Sequence, residues 1–210
     1  MMRHGETDWN KQGRIQGSAD IPLNDYGIAL AEQTRDGMRA EGIHFDHVFT
    51  SPYVRARETA RIIGGVKEEE LKVRETIREM SFGSFEGVRL SEVRTNPKYH
   101  DFNLCFEDPV HYVPQGTAES YKEVFSRTRA FLKEDILPLE GQCEAALVVC
   151  HGAILRALLS IIGKLPLEEY WNIHQPNCSV NLAQVSGGEI TMIKERILYY
   201  HAKHMRGGIL

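Results

Sequence analysis

The chain has 210 residues, 42% of them hydrophobic and 26% charged, a composition typical of a globular protein with one sizeable α/β core. Its formal net charge of -4 and its lack of a Lys/Arg block argue against general nucleic-acid binding, so an anion site would have to be a local cluster of cations. No apolar run approaches the roughly 18 residues of a membrane-spanning helix, and the polar N-terminus is unlike a signal peptide.

Cysteine usage bears on the compartment. Four cysteines are spread through the chain without a C-x-x-C pair, and two of them lie beside or within apolar runs. Free thiols in such surroundings pack as small hydrophobic side chains. We therefore expect reduced cysteines and a cytoplasmic protein. The length of the chain separately predicts one domain over residues 1–210.

A polar segment opens the chain. Arg3-His4-Gly5 begins it, Asn10 ends it, and Gly13 and Gly17 follow. A histidine beside an arginine, with amide and hydroxyl side chains and flexible backbone nearby, is suited to holding a phosphoryl group. Only Met1-Met2 precede this segment, although a loop that carries a nucleophile normally follows a buried strand. We expect either a very short strand here or upstream residues missing from the chain.

The next hundred residues begin with regular patterns. Asn24 is a suitable N-cap for a helix whose apolar positions recur at helical spacing and which ends at Gly42. Residues 47–50 predict a short buried strand, and Ser51-Pro52 would begin the next helix as its N-cap and first helical residue. Arg55 would then lie one turn into that helix.

The middle of the chain is less regular. The charged run 67–72 is expected to be a solvated connection, and residues 81–87 predict a loop held by packed aromatic rings. Prolines, histidines and aromatic residues follow without clear periodicity, and we predict a lid over the site at about residues 88–116. Thr117 would cap a helix that runs to Pro138.

The clearest strand comes late in the chain. Residues 145–150 form a continuous apolar run that ends at His151-Gly152, and residues 153–162 predict an apolar helix. A side chain between a buried strand and a helix lies at the carboxyl end of the sheet, where open sheets bind ligands. Two further strands, 179–185 and 189–196, are predicted to form a hairpin around a Ser-Gly-Gly turn.

Four positions follow strands or begin the next element: His4, Arg55, Glu79 and His151.

A metal site is the main alternative for histidine-rich chemistry. The pairs His44/His47 and His201/His204 are close in sequence, but neither has a cysteine or carboxylate partner at a recognised spacing. We therefore interpret both pairs as surface histidines.

These motifs, in this order, resemble the histidine phosphatase, or phosphoglycerate-mutase-like, superfamily, and in particular its phosphatase branch. The resemblance covers nearly the whole chain: residues 3–10, Gln16-Gly17, residues 20–27, Ser51-Pro52 with Arg55-Ala56 and Thr59-Ala60, Glu79 with Gly83 and residues 85–87, and His151-Gly152. The implied fold is α/β with three layers: a mixed, mostly parallel sheet with helices on both faces and an inserted lid.

The resemblance also implies a role for each matching residue. His4 would be the nucleophile that forms a phosphohistidine, and Glu79 would be the proton donor to the leaving oxygen. The remaining catalytic residues, Arg3, Arg55 and His151, would hold the phosphoryl oxygens. Residues expected to line the phosphate or substrate are Gly5, Asn10, Gln16, Gly17 and Gly152. No metal and no cofactor is implied.

Elementary chemistry agrees with these roles. His4 can attack only as a neutral imidazole, so nearby arginines should disfavour its protonation and a backbone carbonyl should hold its other ring nitrogen. His151 would be cationic, because a bound phosphoryl anion raises its pKa. Glu79 must give a proton to the leaving group and then activate water.

Phosphate release and phosphoryl transfer between hydroxyls can share such a site. Mutases of the family usually have a longer insertion, with extra basic residues, and an asparagine where Ala153 follows Gly152; the lid here has no adjacent arginine pair. We therefore predict a metal-independent phosphatase acting on a small-molecule phosphate monoester. A cofactor-dependent phosphoglycerate mutase and an inactive phospho-ligand-binding or scaffold protein are the alternatives. We expect no nucleic-acid or membrane partner, and the sequence does not indicate the oligomeric state.

Overall fold

The computed structural model describes residues 1–200, whose helices and strands carry the site on one edge of a central sheet. The strands are β1 (Met2–Arg3), β2 (His47–Thr50), β3 (Lys72–Val73), β4 (Ala146–Cys150), β5 (Val180–Ser186) and β6 (Glu189–Ile197). The α-helices are α1 (Asp8–Lys11), α2 (Asp25–Ala40), α3 (Val54–Gly64), α4 (Leu90–Thr95), α5 (His100–Glu107), α6 (Tyr121–Phe131) and α7 (Gly152–Gly163).

The strands form one six-stranded sheet in the order β3-β2-β4-β1-β5-β6. The first four strands in that order are parallel, and β5 and β6 run antiparallel at the other edge. The predicted mixed, mostly parallel sheet is therefore confirmed. The hairpin prediction is also confirmed, since Gly187 and Gly188 both have the positive φ that a tight two-residue turn requires.

The strand before His4 is the short one that the sequence allowed. β1 has two residues, yet it lies between β4 and β5, with Met2 opposite Val149 and Arg3 opposite Cys150. The His4 N–H continues the ladder by donating to the Cys150 carbonyl at 3.0 Å. Because β4 is longer and buried, and β5 is buried where it meets β1, two residues are enough to fix where His4 leaves the sheet.

Helices cover both faces of the sheet, and β4 presents apolar side chains to both of them. Val148 and Cys150 pack against the layer that contains α4 to α7, whereas Leu147 and Val149 pack against the layer of α2 and α3. Such two-sided burial explains why β4 is apolar throughout. It also places both His4 and His151 at the carboxyl edge of adjacent parallel strands.

Several predicted boundaries were wrong. Helix α3 begins at Val54, with Tyr53 as its N-cap, so the Ser51-Pro52 start is incorrect and Arg55 lies in its first turn. The Val54 N–H is instead satisfied by the Asp20 carboxylate at 2.7 Å. Helix α6 begins after Ser120, whose side chain forms a capping box with Glu123, and Thr117 does not cap it.

Two regions are more regular than their composition indicates. The charged run 67–72 ends in β3, which pairs with β2 at the edge of the sheet. Residues 88–116 contain α4 and α5. The ring of Phe102 on α5 stacks on the ring of Phe85, with centroids 3.8 Å apart. Whether this segment acts as a lid stays a prediction, as does the single domain.

None of the helices in residues 1–200 is long and apolar enough to cross a membrane. The histidine pair His201/His204 and the polar tail predicted beyond Tyr200 lie outside the described residues.

Candidate active site

His4 is fixed in one tautomer. Its Nδ1–H donates to the Gly5 carbonyl at 2.6 Å, and a carbonyl can only accept, so Nε2 carries the free lone pair. Burial first, and then the charges of Arg55 and Arg3, lower the pKa of His4 well below its ordinary value. The imidazole is therefore neutral at physiological pH, with a nucleophilic nitrogen available.

Two buried arginines flank this ring. Arg3 leaves β1 next to His4 and donates from Nη1 to the Gln175 carbonyl at 3.0 Å. Arg55 is fully buried and donates to the carbonyls of Gly17 and Ala19 at 2.8 and 2.7 Å. Burial lowers the pKa of Arg3 to about 10, which still leaves the guanidinium charged at neutral pH.

His151 lies beside His4, with ring centroids 5.1 Å apart. The Arg55 Nε–H donates to His151 Nδ1 at 3.2 Å, so the proton of His151 is on Nε2, which lies 2.6 Å from the Ser51 hydroxyl. Burial and then Arg55 lower the pKa of His151 well below its ordinary value. The expected imidazolium is thus not the state of the ligand-free protein.

Glu79 lies at the N-terminus of α7, next to His151, and lines the same cavity as His4. Its carboxylate accepts backbone N–H groups of Met80 at 2.9 Å, Ala153 at 3.2 Å and Ile154 at 3.3 Å. The last two belong to the first turn of α7, where His151 is the N-cap and provides no side-chain cap. The carboxylate thus caps the positive end of α7, which fixes its position relative to His151.

An ion cluster behind Glu79 holds the backbone that carries it. Arg127 on α6 donates to the carbonyls of Thr76, Arg78 and Glu79 at 3.0, 2.6 and 3.3 Å, and to both oxygens of Glu119. Arg78 forms a bidentate pair with Glu119. Although burial acts to raise it, these ion pairs hold the pKa of Glu119 below its ordinary value.

These side chains open onto one small cavity. Most of the predicted site residues line it: Arg3, His4, Asn10, Gln16, Gly17, Arg55, Glu79 and Gly152. Gly5 does not, and its position is explained by its contacts, because its N–H bonds to the Thr59 hydroxyl and its carbonyl to His4. His151 lies just behind the lining, in contact with His4 and Arg55.

Gly17 shows why a glycine stands in this loop. Its φ of 54° lies in the left-handed region, and a Cβ there would overlap the carboxylate of Glu86. Glu86 accepts from the N–H groups of Ser18 at 2.8 Å and Phe82 at 3.0 Å, which joins the loop around Gly17 to the loop after Glu79.

Sequence reasoning missed several residues of this site. Arg156 is 3% exposed, lines the cavity, and donates from Nη1 to the Gly152 carbonyl at 2.9 Å. A lone arginine within the apolar run of α7 was the available signal. Asn177 donates to the carbonyls of His4 at 2.9 Å and Gly5 at 3.1 Å, and nothing in its local sequence indicates this role. Other lining residues outside the predicted set of site residues are Arg14, Ile15, Phe82, Phe106, Ala153 and Trp171.

Within residues 1–200, no three His, Cys, Asp or Glu side chains lie together in a way that could hold a metal ion. His47, one of the two histidines weighed as a ligand pair in this range, has its Nδ1 2.9 Å from the ammonium of Lys72. A cation at this distance makes the nitrogen an unsuitable metal ligand.

Comparison with known proteins agrees with this geometry. Residues 1–196 match the family model of the histidine phosphatase superfamily, branch 1. A probable 2-carboxy-D-arabinitol-1-phosphatase of Arabidopsis thaliana is 35% identical over 87% of this chain, which spans 36% of that protein. A 2,3-bisphosphoglycerate-dependent phosphoglycerate mutase of Nitrobacter winogradskyi is 31% identical over 80% of this chain and 82% of its own.

Among solved structures, a phosphoserine phosphatase of Entamoeba histolytica in complex with 3-phosphoglyceric acid superimposes with a TM-score of 0.76. It is 28% identical and the match covers 93% of this chain and 94% of that one. The chain belongs to the histidine phosphatase superfamily. The predicted family is thus confirmed, and the phosphatases among its relatives confirm the predicted class, a phosphoric monoester hydrolase.

Proposed function

We propose that this protein hydrolyses a small-molecule phosphate monoester in two displacements through a phosphohistidine on His4. The observation that carries the proposal is the neutral His4 ring, held through Nδ1 by the Gly5 carbonyl with Nε2 free among charged arginines. Uncatalysed phosphate-monoester hydrolysis is among the slowest known reactions, and a covalent intermediate replaces one high barrier with two lower ones.

In the first displacement, His4 Nε2 attacks phosphorus while the bond from phosphorus to the ester oxygen breaks. Glu79 gives its proton to that oxygen, so the alcohol leaves neutral. In the second, water attacks the phosphohistidine, Glu79 takes a proton from it, and the N–P bond breaks. Inorganic phosphate leaves, and His4 returns to its neutral form with Glu79 protonated again.

Charge neutralisation would come from the arginines. Arg55 uses three of its five N–H groups on Gly17, Ala19 and His151, which leaves two for phosphoryl oxygens. Arg3 adds a second guanidinium beside His4. Because a phosphoryl dianion favours a protonated neighbour, its arrival would raise the pKa of His151 and recruit it as a further donor.

Small phosphorylated molecules are the proposed substrates, and catalysis is proposed to need no metal ion. The relatives support this class, because the phosphatase from E. histolytica binds 3-phosphoglyceric acid in its solved structure.

We also propose that residues 88–116 cover the site, since Phe106 of α5 lines the cavity beside Trp171. Slower amide exchange in α5 on phosphate binding would be the expected sign. A cytoplasmic location stays a prediction, supported by four unpaired cysteines.

The test is transfer of label. Incubation with ³²P-labelled phosphate esters, followed by an alkaline denaturing quench that preserves phosphohistidine, should give a labelled protein, and His4→Ala should give none. The same panel is assayed for free phosphate and for isomerised ester. Phosphate release supports the phosphatase, dominant isomerisation indicates a mutase, and no adduct from any ester favours a binding or scaffold protein.

A further inference from the structure

Arg156 is a buried cation that the phosphatase chemistry does not use. It lies on α7, five positions after His151, with 3% of its surface exposed, and no carboxylate in residues 1–200 forms an ion pair with it. Its guanidinium lies over the Trp171 ring, 4.9 Å from the centroid. An unpaired charge at such depth is costly unless something supplies its counter-charge.

The donors of Arg156 divide into a used side and an unused side. Nη1 donates to the Gly152 carbonyl at 2.9 Å. Nε is buried and has no hydrogen-bond partner within the described chain, and no bond from Nη2 is found there either. The N–H groups of Nε and Nη2 point the same way, a fork that matches the two oxygens of a carboxylate.

Arg156 lines the cavity of His4, as do Arg3 and Gly152. A Cβ placed on Gly152 would lie 3.2 Å from Nη1 of Arg156 and 3.7 Å from Nε of Arg3. The two guanidinium groups therefore converge over one glycine, so an anion held by Arg3 has Arg156 within a short spacer's length.

The residues that line the cavity carry more positive than negative charge, which favours a second anionic group on the ligand. Four arginines line the cavity, Arg3, Arg14, Arg55 and Arg156, against one acidic side chain, Glu79. A phosphoryl group held by Arg3 and Arg55 would leave Arg156 without a partner. The apolar wall formed by Phe82, Phe106 and Trp171 offers no polar group that could serve instead.

We infer that Arg156 is a specificity-determining residue that binds a carboxylate of the substrate through Nε and Nη2. The substrate class is then a compact phosphorylated carboxylic acid. This inference rests on the proposed phosphatase function and names the substrate class of the same site.

The experiment compares esters that differ only in the carboxylate. The full chain is assayed with 3-phosphoglycerate against glycerol 3-phosphate, and with O-phosphoserine against O-phosphoethanolamine. Wild type should have the higher kcat/KM for the acid in each pair. Arg156→Gln should lower kcat/KM for the acids by about 10- to 150-fold, the factor expected when charge-assisted hydrogen bonds are lost, and change the carboxylate-free esters less than about 3-fold.

Two further variants separate recognition from folding. Arg156→Lys keeps the charge without the fork and should recover part of the selectivity, while Arg129→Gln, an exposed arginine on α6, should leave both pairs unchanged. Equal losses on both members of a pair, or a wild type that does not favour the acids, would overturn the inference. Labelling of His4 by p-nitrophenyl phosphate tests the phosphatase function separately, because that ester has no carboxylate.

Discussion

Removing the side chain of Arg127 should weaken proton donation by Glu79 without removing any group that contacts the substrate. Arg127 makes five hydrogen bonds, three to backbone carbonyls from Thr76 to Glu79 and two to Glu119. In Arg127→Met the carbonyls lose these donors, and the segment that carries Glu79 keeps only its contacts with α7 and with Glu119.

The size of the effect follows from those contacts. Net hydrogen bonds of this kind are each worth about 0.5–3 kcal/mol, the upper end applying to charged groups. Because Arg78 still pairs with Glu119, we expect a loss of about 2–4 kcal/mol in the free energy of unfolding. A displacement of Glu79 by about 1 Å can cost up to roughly 100-fold in rate where its proton is needed.

The assay is the dependence of kcat/KM on the leaving group, measured with aryl phosphates of similar size. Phenyl phosphate, whose phenolate needs a proton, should lose about 10- to 100-fold in Arg127→Met. The p-nitrophenyl ester should lose less than about 3-fold, because its phenolate leaves without one. Arg129→Met on the same helix is the matched control, since Arg129 is exposed. Equal losses on both esters, or no loss on either, would refute the positioning role.

Four other outcomes are expected. Both buried histidines have folded pKa values below the ordinary 6.5, so stability is complete above that pH and falls by up to about 1.4 kcal/mol per pH unit for each histidine as the pH drops below it. Urea denaturation between pH 7.5 and 5 should include this slope, and His4→Gln should remove up to about 1.4 kcal/mol per pH unit of it; an unchanged slope would contradict the neutral state of His4. Gly17→Ala should lower kcat/KM by at least about 10-fold and destabilise the fold, because it strains a positive φ and displaces Glu86; wild-type kinetics would show that the loop adapts. Ser51→Ala should reduce turnover several-fold by freeing His151, and an unaffected enzyme would argue that the 2.6 Å contact is dispensable. Activity should survive EDTA, and its complete loss would overturn the metal-free mechanism.

The sequence carried enough information to predict the sheet and most of its helices. The 47–50 and 145–150 strands are visible because they are buried on both faces and therefore apolar throughout. Strand β3 was missed because it is two residues long at an edge, where charged side chains reach solvent. The predicted start of α3 was wrong because the Ser51 hydroxyl contacts His151, 100 positions later in the chain, and such a long-range contact leaves no local signal.

Some residues of the candidate site could be predicted from the sequence and others could not. His4, Arg55 and His151 could be found because they follow strands that end at one edge of the sheet. Arg127 and Asn177 could not, because their role is to bind carbonyls of distant segments, and any polar residue can do this without a local pattern. The protonation state of His151 was also beyond the sequence, since it depends on Arg55 donating to one particular ring nitrogen.

The central claim is that His4 is the nucleophile and that Nε2 is the atom that attacks. The most direct measurement is mass spectrometry of the alkaline-quenched protein after a single turnover with a labelled phosphate ester, with phosphorus NMR to identify the modified ring nitrogen. We predict one phosphoryl group on His4, attached at Nε2 because Nδ1 is bound to the Gly5 carbonyl. A phosphoryl group on Nδ1, on His151 or on any other residue would contradict the account.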